Sequence, residues 1–304
     1  MKSIFFLVLG VTLFSCQTQS QPLDLEPVDQ KKFNDYWYAG EAELASYELQ
    51  QARYGEIHEG HAVLIFVTEP FSKDKQVKLD YPGRAADDNV SVLKLNLTKK
   101  FLTGIYPYSM MQSVFTPVSY DKHPNSLKVT TSSQEWCGHT FMQLNLEKNG
   151  YNLKGYSYFA SEGDVETQVK ATLLEDELWN KIRINPASLP VGKTRLLPST
   201  FYLRLRHQDN QVKSATLSLD EIANSEFSSE AHNRYSIKYE NRSIDIYFQK
   251  AFPYTILGWE EKYTSGFRNP GEMSTKAFLK KSIKSPYWQK NSNADRAIRK
   301  ELGL

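Results

Sequence analysis

The residues best suited to chemistry lie in one short stretch, Gln134–Met142. Laid out as an extended strand, it projects Glu135, Cys137 and His139 from one face and Trp136, Gly138 and Thr140 from the other. A thiolate and an imidazole two residues apart can share a zinc ion once further ligands join them. Alternatively, the imidazole can take the thiol proton and make Cys137 a nucleophile. Gly138 between them would admit a bulge or the close approach of a ligand. The structural reading is the expected one. A free cysteine commonly serves as a small hydrophobe, and a neighbouring histidine as a hydrogen-bonded part of the framework.

Glu56, His58, Glu59 and His61 form the other dense group of donors. On a strand Glu56 and His58 share a face and His61 points away, whereas on a helix His58 and His61 meet. Tetrahedral zinc takes about four ligands, so either pair would have to converge with Cys137 or His139 across the fold. A polar loop or strand edge is the expectation. No cofactor is predicted, and zinc is the metal that Glu56, His58, Glu135, Cys137 and His139 would suit. The chain contains no G-x-S-x-G elbow, phosphate-cradling loop, H-E-x-x-H helix or paired CxxC motif. An enzyme is therefore not the leading expectation. A metal-binding protein or hydrolase centred on Cys137 and His139 is the alternative.

These residues must be positioned mainly by strands. Ser91–Leu97 sets Leu93, Leu95 and Leu97 on one face against Lys94 and Asn96 on the other, and Ser243–Phe248 alternates in the same way. Asn149-Gly150 between Met142–Leu146 and Leu153–Phe159 predicts a hairpin. Asp209-Asn210 between Phe201–Arg206 and Val212–Leu217, and Asn241-Arg242 between Tyr235–Tyr239 and Ser243–Phe248, predict two more. Two helices are expected. Leu174, Leu178 and Ile182 recur every four residues before Asn185-Pro186, and residues 294–302 follow Ser292 and Asp295 in capping-box positions. Glu41–Arg53 suits either state, with strand favoured. The fold class is thus all-β, mainly β with short helices, an antiparallel meander forming a barrel, half-barrel or sandwich. A subdivision is marked near 186–198, where three prolines interrupt the pattern. The clusters Tyr36-Trp37-Tyr38, Tyr106 with Tyr108, and Phe252, Tyr254 and Trp259 are expected in the core and rim, or lining a groove for sugars or acyl chains.

The amino terminus points to export. Ile4–Phe14 is almost wholly apolar, follows Lys2, and spans about 11 residues, which suits a signal peptide rather than a bilayer span of about 20. Leu13-Phe14-Ser15-Cys16 resembles a bacterial lipobox, with Leu13 at −3, Ser15 at −1 and Cys16 at +1. That resemblance implies cleavage after residue 15, lipid on Cys16 and attachment to a membrane. Gln17 at +2, in place of aspartate, implies the outer membrane. Residues 16–32 read as a flexible tether and 33–304 as the globular domain. Lipidation of Cys16 would leave Cys137 as a lone thiol, which rules out a disulfide framework. Loss of Lys2 lowers the formal charge from +2 to +1, too little for a nucleic-acid binder. Lys276, Lys280, Lys281 and Lys284 are read as a solvated face or protected edge, with contact to anionic lipid or glycan as the alternative.

Five stretches, Asp35–Val67, Lys99–Met111, Gln134–Phe141, Ala251–Glu260 and Lys284–Asp295, resemble a group of bacterial lipoproteins often labelled septum formation inhibitor Maf. The label implies nucleotide pyrophosphatase activity. Of the Maf motif, Leu44-Ala45-Ser46 keeps the opening triplet, without the proline and paired arginines. The leading expectation is a non-enzymatic envelope domain that binds a lipid, a glycan or another envelope protein, with the pyrophosphatase as the reading that follows from the label alone.

Overall fold

A computed structural model describes Leu23, Leu25 and residues 27–266 and 270–304. The leader, the lipobox, Cys16 and most of the tether lie outside the described residues. The first element is a helix, α1 (Gln30–Trp37), whose backbone is capped by the Asp29 carboxylate. It sets Phe33 and Trp37, four residues apart, into the core.

Eight strands then follow as a meander: β1 (Ala42–Arg53), β2 (Glu56–Ser72), β3 (Asn89–Thr103), β4 (Tyr106–Pro117), β5 (Lys128–Glu135), β6 (Gly138–Glu147), β7 (Gly150–Ser157) and β8 (Val165–Lys170). A two-residue strand β9 (Leu173–Leu174) leads directly into α2 (Glu175–Ile184). Next come β10 (Gly192–Leu197) and α3 (Thr200–Arg206). A second meander comprises β11 (Lys213–Ile222), β12 (His232–Lys238), β13 (Arg242–Gln249), β14 (Ile256–Ser265) and β15 (Gly271–Ser285), and α4 (Arg296–Glu301) ends the chain. The expected hairpins at Asn149-Gly150 and Asn241-Arg242 are β6–β7 and β12–β13. Of Glu41–Arg53, Ala42–Arg53 is the strand β1, and Ser292 and Asp295 form the capping box ahead of α4.

One mixed sheet contains all fifteen strands, in the order β8-β7-β6-β5-β4-β3-β2-β1-β15-β14-β13-β12-β11-β10-β9. Every pairing is antiparallel except β9 with β10. The two meanders join where β1 pairs β15, and β8 and β9 are the free edges. Laid flat at about 4.8 Å per strand, such a sheet would be roughly 67 Å wide. Yet α2, a helix of 10 residues, bonds to β1, β3, β4 and β13 at once. The sheet therefore curls around α2 without closing. The main core follows, running from Tyr151 and Leu153 on β7 through Leu178 and Ile182 on α2 to Leu217 on β11. The outer face is covered locally by α4, whose neighbour Leu302 packs with Leu44 and Val67.

The hairpin expected across Asp209-Asn210 is corrected: Thr200–Arg206 is a helix, ended by His207 in the left-handed conformation. Phe201, Leu203 and Leu205 alternate like a strand, but a segment of 7 residues buried on several sides carries too short a period to discriminate. No helix among the described residues is long and apolar enough to cross a membrane.

Candidate functional site

α2 would be expected to turn its charges to solvent, but all ten of its residues are buried inside the curl of the sheet. All of its charges except Asp176 find an opposite charge. Arg183 donates two parallel bonds of 2.6 Å to Glu43 on β1, and the Tyr36 hydroxyl donates to the same carboxylate. Burial alone would raise the Glu43 carboxyl, but Arg183 outweighs it and holds the group below the ordinary range. At the other end Arg242 of β13 donates to both oxygens of Glu175 and, through Nε, to Glu261, each at 2.6 Å. Its guanidinium lies 4.3 Å from the Tyr202 ring centre. Asn180 donates to the carbonyls of Leu93 and Val114, tying the helix to β3 and β4.

Next to this network Lys99 is buried, with its ammonium over Phe201 and Trp259 at 5.4 and 5.9 Å. Burial pushes its amine down. Leu97, Lys99, Glu175, Arg242, Trp259 and Glu261 border an enclosed cavity of about 20 Å³, room for about one water molecule. The inner face of the sheet is thus filled by the chain's own helices.

An open cleft remains at one side, about 230 Å³, between β5–β7, the loop that follows β7, and the carboxyl end of α3. Thr131, Thr140, Met142 and Ser157 line it from the sheet, Glu162 from the loop, and Leu203, Arg204, His207 and Asn210 from the far wall. Glu162 organises it: Oε1 accepts from Arg204 and lies 2.5 Å from His207 Nδ1, while Oε2 accepts from Ser157 Oγ at 2.6 Å. Burial would raise the Glu162 carboxyl, but Ser157, His207 and Arg204 together hold it below the usual carboxylate range. Phe159 supports this group, with its ring edge-on to His207 and beneath Arg204 at 4.7 Å. The carboxylate fixes the imidazole, as in many acid–base sites, but the nearby hydroxyl of Ser157 is bonded to the carboxylate rather than to the histidine. What the arrangement offers is a half-buried array of donors and acceptors facing an open space.

None of the cleft's charged residues was expected from sequence. Glu162 and His207 are 45 positions apart, on segments with no motif. The residues that were expected lie elsewhere, on the rim formed by the hairpin ends. Gln134–Met142 is not one continuous strand, because Trp136 and Cys137 are the turn between β5 and β6. Cys137 is exposed, contrary to a buried structural thiol, and its backbone N–H donates to Glu135 at 2.6 Å. The Glu135 carboxylate pushes the Cys137 thiol up. The close approach at Gly138 is made by Tyr158, since a Cβ at Gly138 would lie 2.5 Å from its ring. His139 is exposed at the start of β6. Glu56 begins β2, and His58 bonds through Nε2 to the Arg53 carbonyl at 3.0 Å. β2 and β5 stand three strand spacings apart, roughly 14 Å, so Glu56 and His58 do not converge with Cys137 and His139. Among the described residues no group of three or more His, Cys, Asp or Glu is placed to hold a metal ion.

Set against known proteins, the chain matches no family model, no curated protein and no solved structure.

Proposed function

We propose that this chain is a non-enzymatic binding domain of the cell envelope, anchored by lipid at Cys16, which holds a glycan or similar polyhydroxylated ligand in the cleft around Glu162, Arg204 and His207. The observation that carries the reading is the cleft itself. Carboxylate, guanidinium, imidazole, hydroxyl and amide groups converge on one open space of about 230 Å³, the mixture of donors and acceptors that sugar hydroxyls require. A lipid ligand is less favoured, because α2 and its ion pairs occupy the inner face. The pyrophosphatase reading is not adopted. Leu44, Ala45 and Ser46 are buried within β1, not set on a loop where a phosphate could reach them.

Titration calorimetry with a panel of envelope oligosaccharides, including peptidoglycan fragments, tests the ligand. Binding should appear with at least one member and fall on Arg204→Ala or Glu162→Gln. Binding that both variants leave intact would locate the site elsewhere, and no heat across the panel would remove the glycan reading. The anchor rests on Leu13, Ser15 and Cys16 alone. Metabolic labelling with a fatty acid should mark the protein, and Cys16→Ala should abolish the label.

A further inference from the structure

The outer face of the sheet gathers cations from three elements far apart in the chain. His61 on β2 lies directly across from Lys100 on β3. On the far side of β1, the ladder with β15 jumps from Ser46↔Lys281 to Tyr47↔Leu279, leaving Lys280 as an extra residue. This bulge leaves Lys280 and Lys281 exposed in succession. α4 lies over the same face: Ser46 Oγ donates to the Leu302 carbonyl, and Gly303 sits against the Lys280 side chain. Arg299 in α4 is thereby brought to the patch. Burial, together with the charges of Lys100, Arg299 and Lys280, holds the His61 imidazole below its ordinary range. Among the described residues the side chains of Lys100, Lys280, Lys281 and Arg299 make no ion pair or hydrogen bond. Three acidic residues lie near them: Glu48 across from His61, Glu59 on the same face of β2, and Glu301 at the end of α4. Gathered like charges cost stability unless a counter-charge comes from outside.

We propose that this face docks on the phosphate headgroups of an anionic bilayer, with Lys100, Lys280, Lys281 and Arg299 as the contacting cations. They are spread over β3, β15 and α4, with β2 and β1 lying between the two strands, which suits a planar array of headgroups better than a single phosphate. Each cation near such a surface adds about fivefold to binding. The inference does not depend on the cleft or on Cys16.

Residues 23–304 contain every element and core residue described, and carry no lipid. Cosedimentation of this segment with vesicles tests the proposal. At low salt it should bind vesicles containing phosphatidylglycerol, fail to bind pure phosphatidylcholine, and release in high salt. The triple variant K280E/K281E/R299E should lose binding more than tenfold. K280Q/K281Q/R299Q, a milder change for use if the first variant fails to fold, should lose a smaller but measurable part. Equal binding to both vesicle types, binding that persists in high salt, or no loss in a folded triple variant would overturn the proposal. So would retention on an acidic polysaccharide without any vesicle binding, which would make the partner a polymer.

Discussion

Arg183 and Glu43 meet through two parallel hydrogen bonds of 2.6 Å, each side chain 1% exposed. They join the helix at the centre of the fold to β1, the strand where the two meanders meet. Removing one partner of such a pair leaves a charge without water or counter-ion, at a cost of about 3–5 kcal/mol. Glu43→Gln and Arg183→Met should each destabilise by about that amount in urea unfolding. The double variant should cost clearly less than their sum. Additive losses would show that the groups do not depend on each other.

Asp176 supplies a pH signature. Burial, reinforced by neighbouring Glu175, pushes its carboxyl from 3.8 to about 6, although Oδ2 accepts from the backbone and hydroxyl of Thr200. The folded state therefore holds a proton that the unfolded chain has lost. Stability from this group falls as pH rises from about 4 to about 6 and is flat above that, by up to about 3 kcal/mol. In Asp176→Asn that fall should be absent. The stability of the variant relative to the parent should rise across this window, as measured by unfolding at pH 4, 5, 6 and 7. A constant difference would mean that Asp176 does not titrate there.

Much of the fold was legible before the structure. Alternation marked β3 and β13 because each turns one face to the main core, and Asn-Gly marked the β6–β7 turn because glycine accepts its φ of 141°. The parts that were missed have physical reasons. α3 alternates like a strand over seven residues, and only its packing distinguishes the two. α1 carries its signal in Asp29, Phe33 and Trp37, a cap followed by an i,i+4 apolar pair, which straddles the end of the polar tether and the Tyr36-Trp37-Tyr38 cluster and is too short to stand apart from them. The cleft had no local signal. Glu162, Arg204 and His207 are ordinary surface residue types that become a group only when the loop after β7 folds against α3.

Gly138 gives a packing test. Tyr158 lies where a side chain at 138 would stand, with contacts of 2.5–2.8 Å to a built Cβ. Gly138→Ala should cost about 1–3 kcal/mol in thermal or urea unfolding. The double variant Gly138→Ala/Tyr158→Ala should recover most of the loss that the alanine causes on its own. Failure of that rescue would place the strain in the backbone of the turn.

Cys137 offers a test of reactivity. It is exposed, and the Glu135 carboxylate opposes its ionisation. Maleimide or iodoacetamide should label it in the folded protein, more slowly than a free thiol of ordinary acidity at pH 8, and Glu135→Gln should speed the reaction. Labelling faster than a free thiol would reveal an activated nucleophile and revive the hydrolase alternative.

The pairing of β1 with β15 sets Ala42 opposite Ser285, whereas every other antiparallel ladder joins strands consecutive in the chain. The two strands left at the sheet edges, β8 and β9, are separated only by Ala171-Thr172. The strand order thus follows the chain in a cycle with one gap, between β8 and β9. A circular permutant opened at Ala171-Thr172, with a linker from Leu304 to α1, would make the longest-range ladder one between strands consecutive in the chain, joined through α4 and α1, and keep every pairing. Since closing long loops slows folding, such a chain should reach the same sheet faster than the parent does.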